Sequence, residues 1–280
     1  MSASLECVLD SAAGAGINYS AHVTRLMRDL VARVPELGDI DLDRVLVFLR
    51  QGRTGADGPL ASCHCLSLPD TEPGYFFWED AATGRITRRS EWFVTRSPRV
   101  ELGGRVVDFL ISLSMPRFCD QRLSRSRKRR HYPVGTPDWI ARLDTIVHEL
   151  YHIDSERRAL REFAGRLHAP DYAARVAGMV QRFLDMPPAP EVIEFLQYDG
   201  AGLVARYGSV HGVTFRSYPA FPRRYREAVA ELPPPADLAD ARVEPVRDLG
   251  LRSFSEQDLR LRAFSAAAAL PRIATTSSSS

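Results

Sequence analysis

The spacing of apolar side chains predicts one helix near the start of the chain and a series of strands after it. Between residues 20 and 36, apolar residues recur at helical spacing among charged ones, and Pro35 closes this helix. Residues 44–50 and 105–113 are rich in β-branched and aromatic residues, which predicts two buried strands. Weaker patterns predict strands at residues 60–68, 75–78 and 91–94, with turns at residues 52–59 and 80–84.

Helical patterns dominate the middle of the chain. Thr136, Pro137 and Asp138 predict a helix start, because they supply a capping hydroxyl, a proline for the first helical position and an acid for the positive first turn. Apolar residues from Trp139 to Leu150 continue that helix. The sequence also predicts helices near residues 170–185 and 189–198, a hairpin or loop at 200–218, and a short amphipathic helix within 255–270.

This succession of a helix, strands and then helices indicates an α+β domain, with a sheet on one side of the helix that starts at Thr136. We assign the domain to residues 1–232. From residue 233 onward the chain becomes polar, charged and alanine-rich, which predicts a loosely attached and partly disordered C-terminal segment over residues 233–280. Residues 275–280 are expected to be disordered.

Composition and charge narrow the possible function classes. The 280 residues can bury a sizeable core, and 45% hydrophobic and 26% charged residues are ordinary globular values. The formal charge of +2 does not call for nucleic acid or an anionic membrane. No apolar run approaches the ~20 residues of a membrane span, and the N-terminus shows no secretory signal. Four irregularly spaced cysteines make no disulfide framework, so we expect a reducing cytoplasm.

The run His148-Glu149-Leu150-Tyr151-His152 carries the clearest chemistry in the sequence. Residues four apart share one face of a helix, so His148 and His152 can bind one zinc ion together. Glu149 lies one step round the helix, where its carboxylate can take a proton from a zinc-activated water. This spacing on a helix is the arrangement of zinc peptidases. The alternative is a pair of hydrogen-bonded core histidines, since the neighbouring residues are apolar.

A catalytic zinc site needs a third protein ligand and keeps one position open for water. His168 is the first candidate, because the chain after His152 can turn around Gly165 and bring His168 back beside the helix. The alternative third ligands are His211, Glu156 and Glu162.

These residues resemble two groups of small zinc peptidases. The His148-to-His152 run followed by His168-Ala169-Pro170-Asp171-Tyr172 is similar to the SprT-like metallopeptidases. Their third histidine begins a His-Gly-x-x-Phe-like stretch, so Ala169 stands here for the glycine and Tyr172 for the phenylalanine. Residues 109–113 also resemble the strand that precedes the metal helix in that family. The earlier pattern, at residues 35–48 and 61–63, resembles the phage-type metallopeptidases, which show a helix, strand, turn and strand before their own motif.

Together the resemblances cover residues 20 to 185 approximately. They imply a zincin-like α+β fold, with a mixed or antiparallel sheet packed on the metal-binding helix. They also imply a zinc ion held by His148, His152 and His168, with Glu149 as general base. We expect a protein or peptide as the substrate.

Cys63-His64-Cys65 raises the question of a second metal site. On a strand the two cysteines face one way and His64 the other, and Cys119 is the one evident further ligand. We therefore expect buried thiols here rather than a second zinc site.

Basic residues concentrate between Arg122 and Arg130, immediately before the metal helix, in a stretch that we call the basic segment. It is either a solvated loop or a patch for nucleic acid or for an acidic stretch of substrate. The SprT-like resemblance supports the nucleic-acid interpretation, because that family acts on proteins attached to DNA. The interleaved aromatic residues of a single-strand-binding surface are absent from this stretch.

Peptide hydrolysis also needs donors that stabilise a developing oxyanion. The sequence offers Tyr172, Tyr207, His211, Arg216 and Tyr218 without choosing among them. Asp144, one turn before His148, could orient an imidazole or be an ordinary surface acid. By analogy with zincins, residues 107–113 are expected to line the cleft and pair with an extended substrate.

The sequence therefore predicts a zinc-dependent metallopeptidase with Glu149 as the general base. The first alternative is a zinc-binding, DNA- or partner-associated module without hydrolytic turnover. The second is a structural protein in which the motif occurs by chance.

Overall fold

Five helices and several small sheets form the described part of the chain, so the predicted α+β class is confirmed. The computed structural model describes residues 16–51, 58–66, 75–79, 86–91, 99–164, 166–186, 188–217 and 253–264. The predicted domain boundary between residues 232 and 233 lies outside these ranges, as do residues 275–280.

The helices follow the apolar periodicity of the sequence. They are α1 (Tyr19–Arg33), α2 (Ile140–Tyr151), α3 (Tyr172–Asp185), α4 (Pro190–Ile193) and α5 (Gly200–Tyr207). The helices predicted at residues 20–36 and 170–185 are confirmed as α1 and α3, and the one predicted at 189–198 is divided between α4 and a 3-10 helix, Glu194–Gln197. Within the described residues, no helix is both long and apolar enough to cross a membrane.

Twelve strands accompany the helices in the described residues. They are β1 (Ile17–Asn18), β2 (Val45–Gln51), β3 (Ala61–Cys65), β4 (Tyr75–Glu79), β5 (Ile86–Glu91), β6 (Val100–Leu102), β7 (Arg105–Val107), β8 (Phe109–Met115), β9 (Ile153–Asp154), β10 (Ala159–Leu160), β11 (Val210–Phe215) and β12 (Leu259–Phe264). The strands predicted at residues 44–50 and 75–78 are confirmed. The strand predicted at 91–94 is not, because β5 ends at Glu91 and residues 92–94 lie outside the described ranges. So do residues 52–57 and 80–84 of the predicted turns.

A three-stranded sheet lies at the centre of the fold, with its strands hydrogen-bonded in the order β2-β8-β3. β2 runs parallel to β8, and β3 runs antiparallel to it. Every residue of β8 is buried, as expected for a strand with neighbours on both sides. The expectation that residues 107–113 pair with a substrate is therefore wrong, because both edges of β8 are already occupied. The two edge strands of this sheet are β2 and β3.

A second three-stranded sheet has the order β1-β11-β12 and brings together strands from the two ends of the described chain. The helix predicted within residues 255–270 is wrong where the chain is described, because β12 occupies residues 259–264 and pairs antiparallel with β11. The hairpin or loop predicted at residues 200–218 is also wrong, since α5 and β11 fill most of that stretch.

The hydrophobic core lies on both faces of the central sheet. On one face, Leu30 of α1, Ile111 of β8 and Ile146 of α2 are fully buried in the larger cluster. On the other face, Phe48 of β2 packs edge-on against Phe215 of β11 at a centroid distance of 5.4 Å. Burial of this apolar surface, worth about 25 cal/mol per Å², fixes α2 against the sheet.

Helix α2 begins later than the sequence predicts. Thr136 is not its N-cap, because the helix starts at Ile140 and its capping residue makes no side-chain hydrogen bond. The Thr136 hydroxyl donates instead to the Pro133 carbonyl at 2.9 Å. Asp138 accepts the backbone N–H of Ser124 at 2.7 Å. These contacts shape the preceding loop rather than the helix end.

Arg142 ties the first turn of α2 to two neighbouring segments. Its side chain is buried, at 4% exposure. Its Nε donates to the carbonyl of Leu196 at 2.7 Å, and its Nη1 donates to the carbonyls of Cys119 and Gln121. One buried guanidinium thus satisfies three carbonyl groups that would otherwise lack a partner.

Candidate metal centre

The last turn of α2 places two imidazoles side by side. His148 lies in this turn and His152 is the C-cap residue, so both project from the same face of the helix. Their Nε2 atoms are 3.2 Å apart. His152 is buried and His148 half-buried, so the pair lies at the boundary between the core and solvent.

The chain after α2 returns a third imidazole to the same point. It passes through the short β9-β10 hairpin and reaches His168 just before α3 begins. The Nε2 of His168, an exposed residue, is also 3.2 Å from the Nε2 of His148. We call His148, His152 and His168 the histidine cluster. Their ligand atoms all lie within 4.8 Å of one another, and this is the one such group of His, Cys, Asp or Glu found in the described residues.

The spacing of these nitrogens fits a shared cation. An uncharged imidazole nitrogen either donates one hydrogen bond or accepts one, so His148 Nε2 cannot serve both neighbours through hydrogen bonds alone. Ligands at ~2.1 Å from a tetrahedral zinc ion stand about 3.4 Å apart, close to the two measured separations. In one respect the site departs from common zinc sites, because His152 Nδ1 is buried without a hydrogen-bond partner among the described residues.

The electrostatic surroundings keep the two helix histidines uncharged. Burial, and then the charges of His152, Lys128 and His168, lower the pKa of His148 to about 3. Burial, followed by the charge of His168, lowers the pKa of His152 to about 4. Both rings are therefore neutral at pH 7, the state in which a ring nitrogen offers a lone pair to a metal.

Tyr172, the first residue of α3, supports the cluster from one side. Its ring stacks on His152 at a centroid distance of 5.2 Å and meets His148 and His168 edge-on at 4.9 and 4.8 Å. Its hydroxyl donates to the backbone carbonyl of His148 at 3.0 Å. Tyr172 therefore fixes the orientation of the rings, and its hydroxyl is already engaged.

Glu149 lies beside the cluster and is 7% exposed. Burial raises the pKa of its carboxyl group to about 7, although a hydrogen bond from the backbone of Cys63 and the positive charges of Lys128 and Arg50 act against this rise. A carboxyl group with this pKa can both accept and release a proton near neutral pH.

A pocket of about 520 Å³ opens over these residues. Its lining includes the edge strand β3 with the residues just before it, and also Leu160, Leu167 and His168. His148, His152 and Glu149 also line it. The pocket is therefore a cleft between a sheet edge and the histidine cluster, large enough for several atoms of a ligand.

The turn after α2 is anchored by a buried carboxylate. Asp108, at 1% exposure, accepts two hydrogen bonds from Arg158 at 2.6 and 3.1 Å and another from Arg44. Arg158 lies in the turn that links β9 to β10, with a positive φ of 51°. The ion pairs thus hold the start of the segment that carries His168.

The other residues proposed as third ligands lie elsewhere. His211 is on β11, where its Nε2 lies 2.7 Å from the hydroxyl of Ser209. Glu156 and Glu162 are both exposed. None of the three belongs to the histidine cluster.

Most of the hydrogen-bond donors proposed to stabilise the oxyanion either bind another group or do not line the pocket. The hydroxyl of Tyr172 binds a carbonyl, as described above. Arg216 donates to the carbonyl of Gln257 at 3.1 Å. Neither Tyr207 nor His211 lines the pocket, and Tyr218 lies outside the described residues.

Asp144 does not orient an imidazole, and it is not a surface acid, since only 3% of it is exposed. One of its oxygens pairs with the Nζ of Lys128 at 2.6 Å. The other accepts the hydroxyl of Tyr132 at 2.6 Å. The carboxylate therefore holds the basic segment against α2.

Lys128 is a pocket residue that sequence reasoning passed over. It is the only lysine among 37 lysine and arginine residues, and this rarity is the one feature of the sequence that could have drawn attention to it. It belongs to the 3-10 helix Arg127–His131, whose position beside α2 no local pattern indicates.

The remaining cysteine and basic residues show no second metal centre in the part of the chain that is described. Cys63 and Cys65 are half-buried on β3, Cys119 is buried, and none of the three forms a disulfide bond. Within the basic segment, the exposed residues include Arg122, Arg125, Arg127 and Arg130.

The chain was also compared with family models, curated proteins and solved structures. None of the three comparisons finds a match.

Proposed function

We propose that this chain is a zinc-dependent peptidase with a zincin-like fold. The observation that carries the proposal is the convergence of two Nε2 atoms on that of His148, each at 3.2 Å, beside the buried carboxylate of Glu149. His148, His152 and His168 would hold the ion. Three imidazoles with one open position are the donor set of a catalytic zinc site.

Residues in and beside the pocket have different roles in the proposed hydrolysis. When bound, zinc would lower the pKa of a water molecule and polarise a carbonyl group. Glu149 accepts the proton of the attacking water and passes it to the leaving amine, a task suited to its pKa of about 7. Tyr172 keeps the imidazoles in position through its ring contacts.

The edge strand β3 supports an extended peptide as substrate. Its pairing with β8 uses one edge, and no other described strand is hydrogen-bonded to the second edge. Ala61, Ser62 and Cys63 of β3 line the pocket. A peptide that added to this edge would run past the histidine cluster with its backbone hydrogen-bonded. The three described cysteines, Cys63, Cys65 and Cys119, form no disulfide bond, which supports a reducing compartment such as the cytoplasm.

Zinc binding is the first test of this proposal. We expect the purified protein to hold one zinc ion per chain, and the His148→Ala variant to hold none after dialysis, since His148 is the central member of the cluster. His168→Ala should bind zinc at least about 10- to 100-fold more weakly. Metal content and competition with a chromogenic chelator measure both effects.

His211→Ala provides the matched control, because His211 is a histidine outside the cluster. It should bind zinc as the wild type does. A wild-type protein that takes up no stoichiometric zinc, or a His148→Ala variant that keeps it, would contradict the proposal.

A second candidate function is a zinc-binding module that associates with DNA and has no hydrolytic turnover. The observation that favours it is a set of exposed arginines that form no ion pair with any described acidic residue: Arg122, Arg125, Arg127 and Arg130. Four such charges in one segment can contact phosphates.

Charge reversal tests this DNA interaction. Replacing Arg125 and Arg127 by Glu should weaken binding to a duplex oligonucleotide at least about tenfold at 50 mM salt and reduce its salt dependence. Fluorescence anisotropy over a salt series measures both. The double variant Arg260→Glu/Arg262→Glu, on β12, controls for net charge. Equal loss in the two double variants would show that the basic segment has no special role.

A further inference from the structure

Lys128 brings a positive charge to the wall of the pocket that contains the histidine cluster. Its side chain is 26% exposed, whereas that of its ion-pair partner Asp144 is 5% exposed. The ammonium group therefore faces the pocket, and the carboxylate lies behind it.

Two fixed contacts hold the ammonium group in place. Nζ pairs with Asp144 Oδ1 at 2.6 Å and donates to the hydroxyl of Thr145 at 2.7 Å. Thr145 in turn lies 2.8 Å from the side-chain oxygen of Gln121. The second oxygen of Asp144 is taken by Tyr132. A lysine held on both sides in this way loses little further freedom when it binds a ligand.

One donor of the ammonium group remains for a ligand. An ammonium group has three N–H bonds, and the contacts with Asp144 and Thr145 use two of them. No acceptor for the third is found among the described residues. Because Asp144 does not line the pocket, a ligand at Lys128 meets the ammonium group and not the Asp144 carboxylate. The carboxyl group that does line the pocket is that of Glu149, beside the histidine cluster.

The rest of the pocket makes this donor the main polar feature away from the cluster. The walls include the apolar side chains of Leu60, Leu160 and Leu167. In an apolar pocket, a single charged donor decides which polar group a ligand must carry. A charge-assisted hydrogen bond from an ammonium group is strongest with an anionic oxygen.

We propose that Lys128 binds a carboxylate of the peptide that occupies the pocket, which makes it a specificity-determining residue. This inference rests on the proposed function for its substrate class, a peptide. The carboxylate is that of an acidic side chain or of a free C-terminus. The exposed arginines of the basic segment, next to Lys128 in the chain, add positive potential around it.

Because the sequence contains a single lysine, ligand binding at Lys128 can be observed without overlap from other lysine signals. Protein grown with ¹³C-labelled lysine gives one side-chain Cε–Hε signal, because Lys128 is the only lysine. Full-length Glu149→Gln protein would be titrated, with and without one equivalent of zinc. The peptides are Ac-Leu-Ala-Glu-Ala-NH₂, its Gln counterpart with a C-terminal amide, and the same Gln peptide with a free C-terminal carboxylate.

We expect a saturable shift of the lysine signal with at least one carboxylate peptide, and binding about 10- to 100-fold tighter than for the neutral amide. The peptide that binds tighter identifies the source of the carboxylate. Lys128→Met should abolish the discrimination, and Lys128→Arg should retain part of it. If Lys128→Met fails to fold, the wild-type lysine signal still decides the question.

Equal binding of all three peptides, or a lysine signal that none of them shifts, would overturn the inference. So would a short single-stranded oligonucleotide that shifts the signal at lower concentration than any peptide, since the pocket would then bind phosphate. The proposed function fails separately. If the protein binds carboxylate peptides but holds no zinc, the proposed peptidase function is wrong and the Lys128 site stands. If it cleaves peptides without preferring those that carry a carboxylate, the peptidase function stands and the Lys128 site is wrong.

Discussion

Replacing Glu149 by Gln is expected to reduce peptide hydrolysis about 10²- to 10⁴-fold while zinc remains bound. Gln has the same shape and fits the same buried position, 7% exposed in the wild type, but it cannot accept a proton. The three imidazoles of the histidine cluster are unchanged. Cleavage of a quenched fluorescent peptide library and zinc content, measured on the same sample, test both parts.

Glu156→Gln is the matched control for this variant. Glu156 is exposed in the turn after α2 and does not line the pocket, so its replacement should leave both readouts unchanged. A Glu149→Gln protein that cuts the library at the wild-type rate would refute the role of Glu149 as general base. Loss of zinc together with activity would indicate that the carboxylate holds the metal instead.

The same variant should change the stability of the metal-free protein with a definite sign. Burial raises the pKa of Glu149 to about 7 in the folded state, from its ordinary value of 4.5, so the ionised carboxylate disfavours the fold. Wild-type stability should therefore fall relative to Glu149→Gln as the pH rises from 4.5 through 7. The difference should approach about 3 kcal/mol or less at pH 8. Urea unfolding at pH 5 and pH 8 measures it.

Replacing Arg142 by Ala should lower the free energy of unfolding by about 3 kcal/mol or more, since each buried carbonyl left without a donor costs about 1–3 kcal/mol. Arg142 serves the carbonyls of Leu196, Cys119 and Gln121. Since these contacts lie at the start of α2, zinc affinity should also fall when the helix loosens. Urea denaturation of the metal-free protein gives the stability change directly.

Two further variants make the Arg142 prediction specific. Arg142→Lys keeps the charge but has fewer donors in a fixed geometry, so its loss should be intermediate. Arg125→Ala removes an exposed arginine and should change stability by about 0.5 kcal/mol at most. A loss below about 1 kcal/mol for Arg142→Ala would mean that water replaces the guanidinium at these carbonyls.

The histidine cluster was accessible to sequence reasoning because its geometry is local. The i,i+4 spacing fixes His148 and His152 on one helix face, and a short return segment brings His168 to them. Lys128 was not accessible, because its place in the pocket depends on how a 3-10 helix packs against α2. That packing is set by Asp144 and Thr145, whose side chains give no sign of it in the sequence.

The wrong predictions of secondary structure also have physical causes. In residues 259–264 the leucines and the phenylalanine are buried or half-buried and the arginines are exposed, yet the alanines that follow favoured a helix. Helix α5 contains Gly200 and Gly202, which argue against a helix by propensity. It forms because Asp199 caps it by accepting the N–H of Gly202, and Gly208 ends it at a φ of 79°. The cap predicted at Thr136 is absent because the helix starts only at Ile140, and the Thr136 hydroxyl donates to the Pro133 carbonyl.

The sheet that joins β1, β11 and β12 has a consequence for engineering. Ile17 and Phe264 both stand opposite Val210, on its two sides, so they lie about 10 Å apart, twice the spacing of neighbouring strands. A short flexible linker could therefore connect these positions. New chain ends at Val134, which is 96% exposed, would give a circular permutant that keeps both three-stranded sheets and the helix carrying His148.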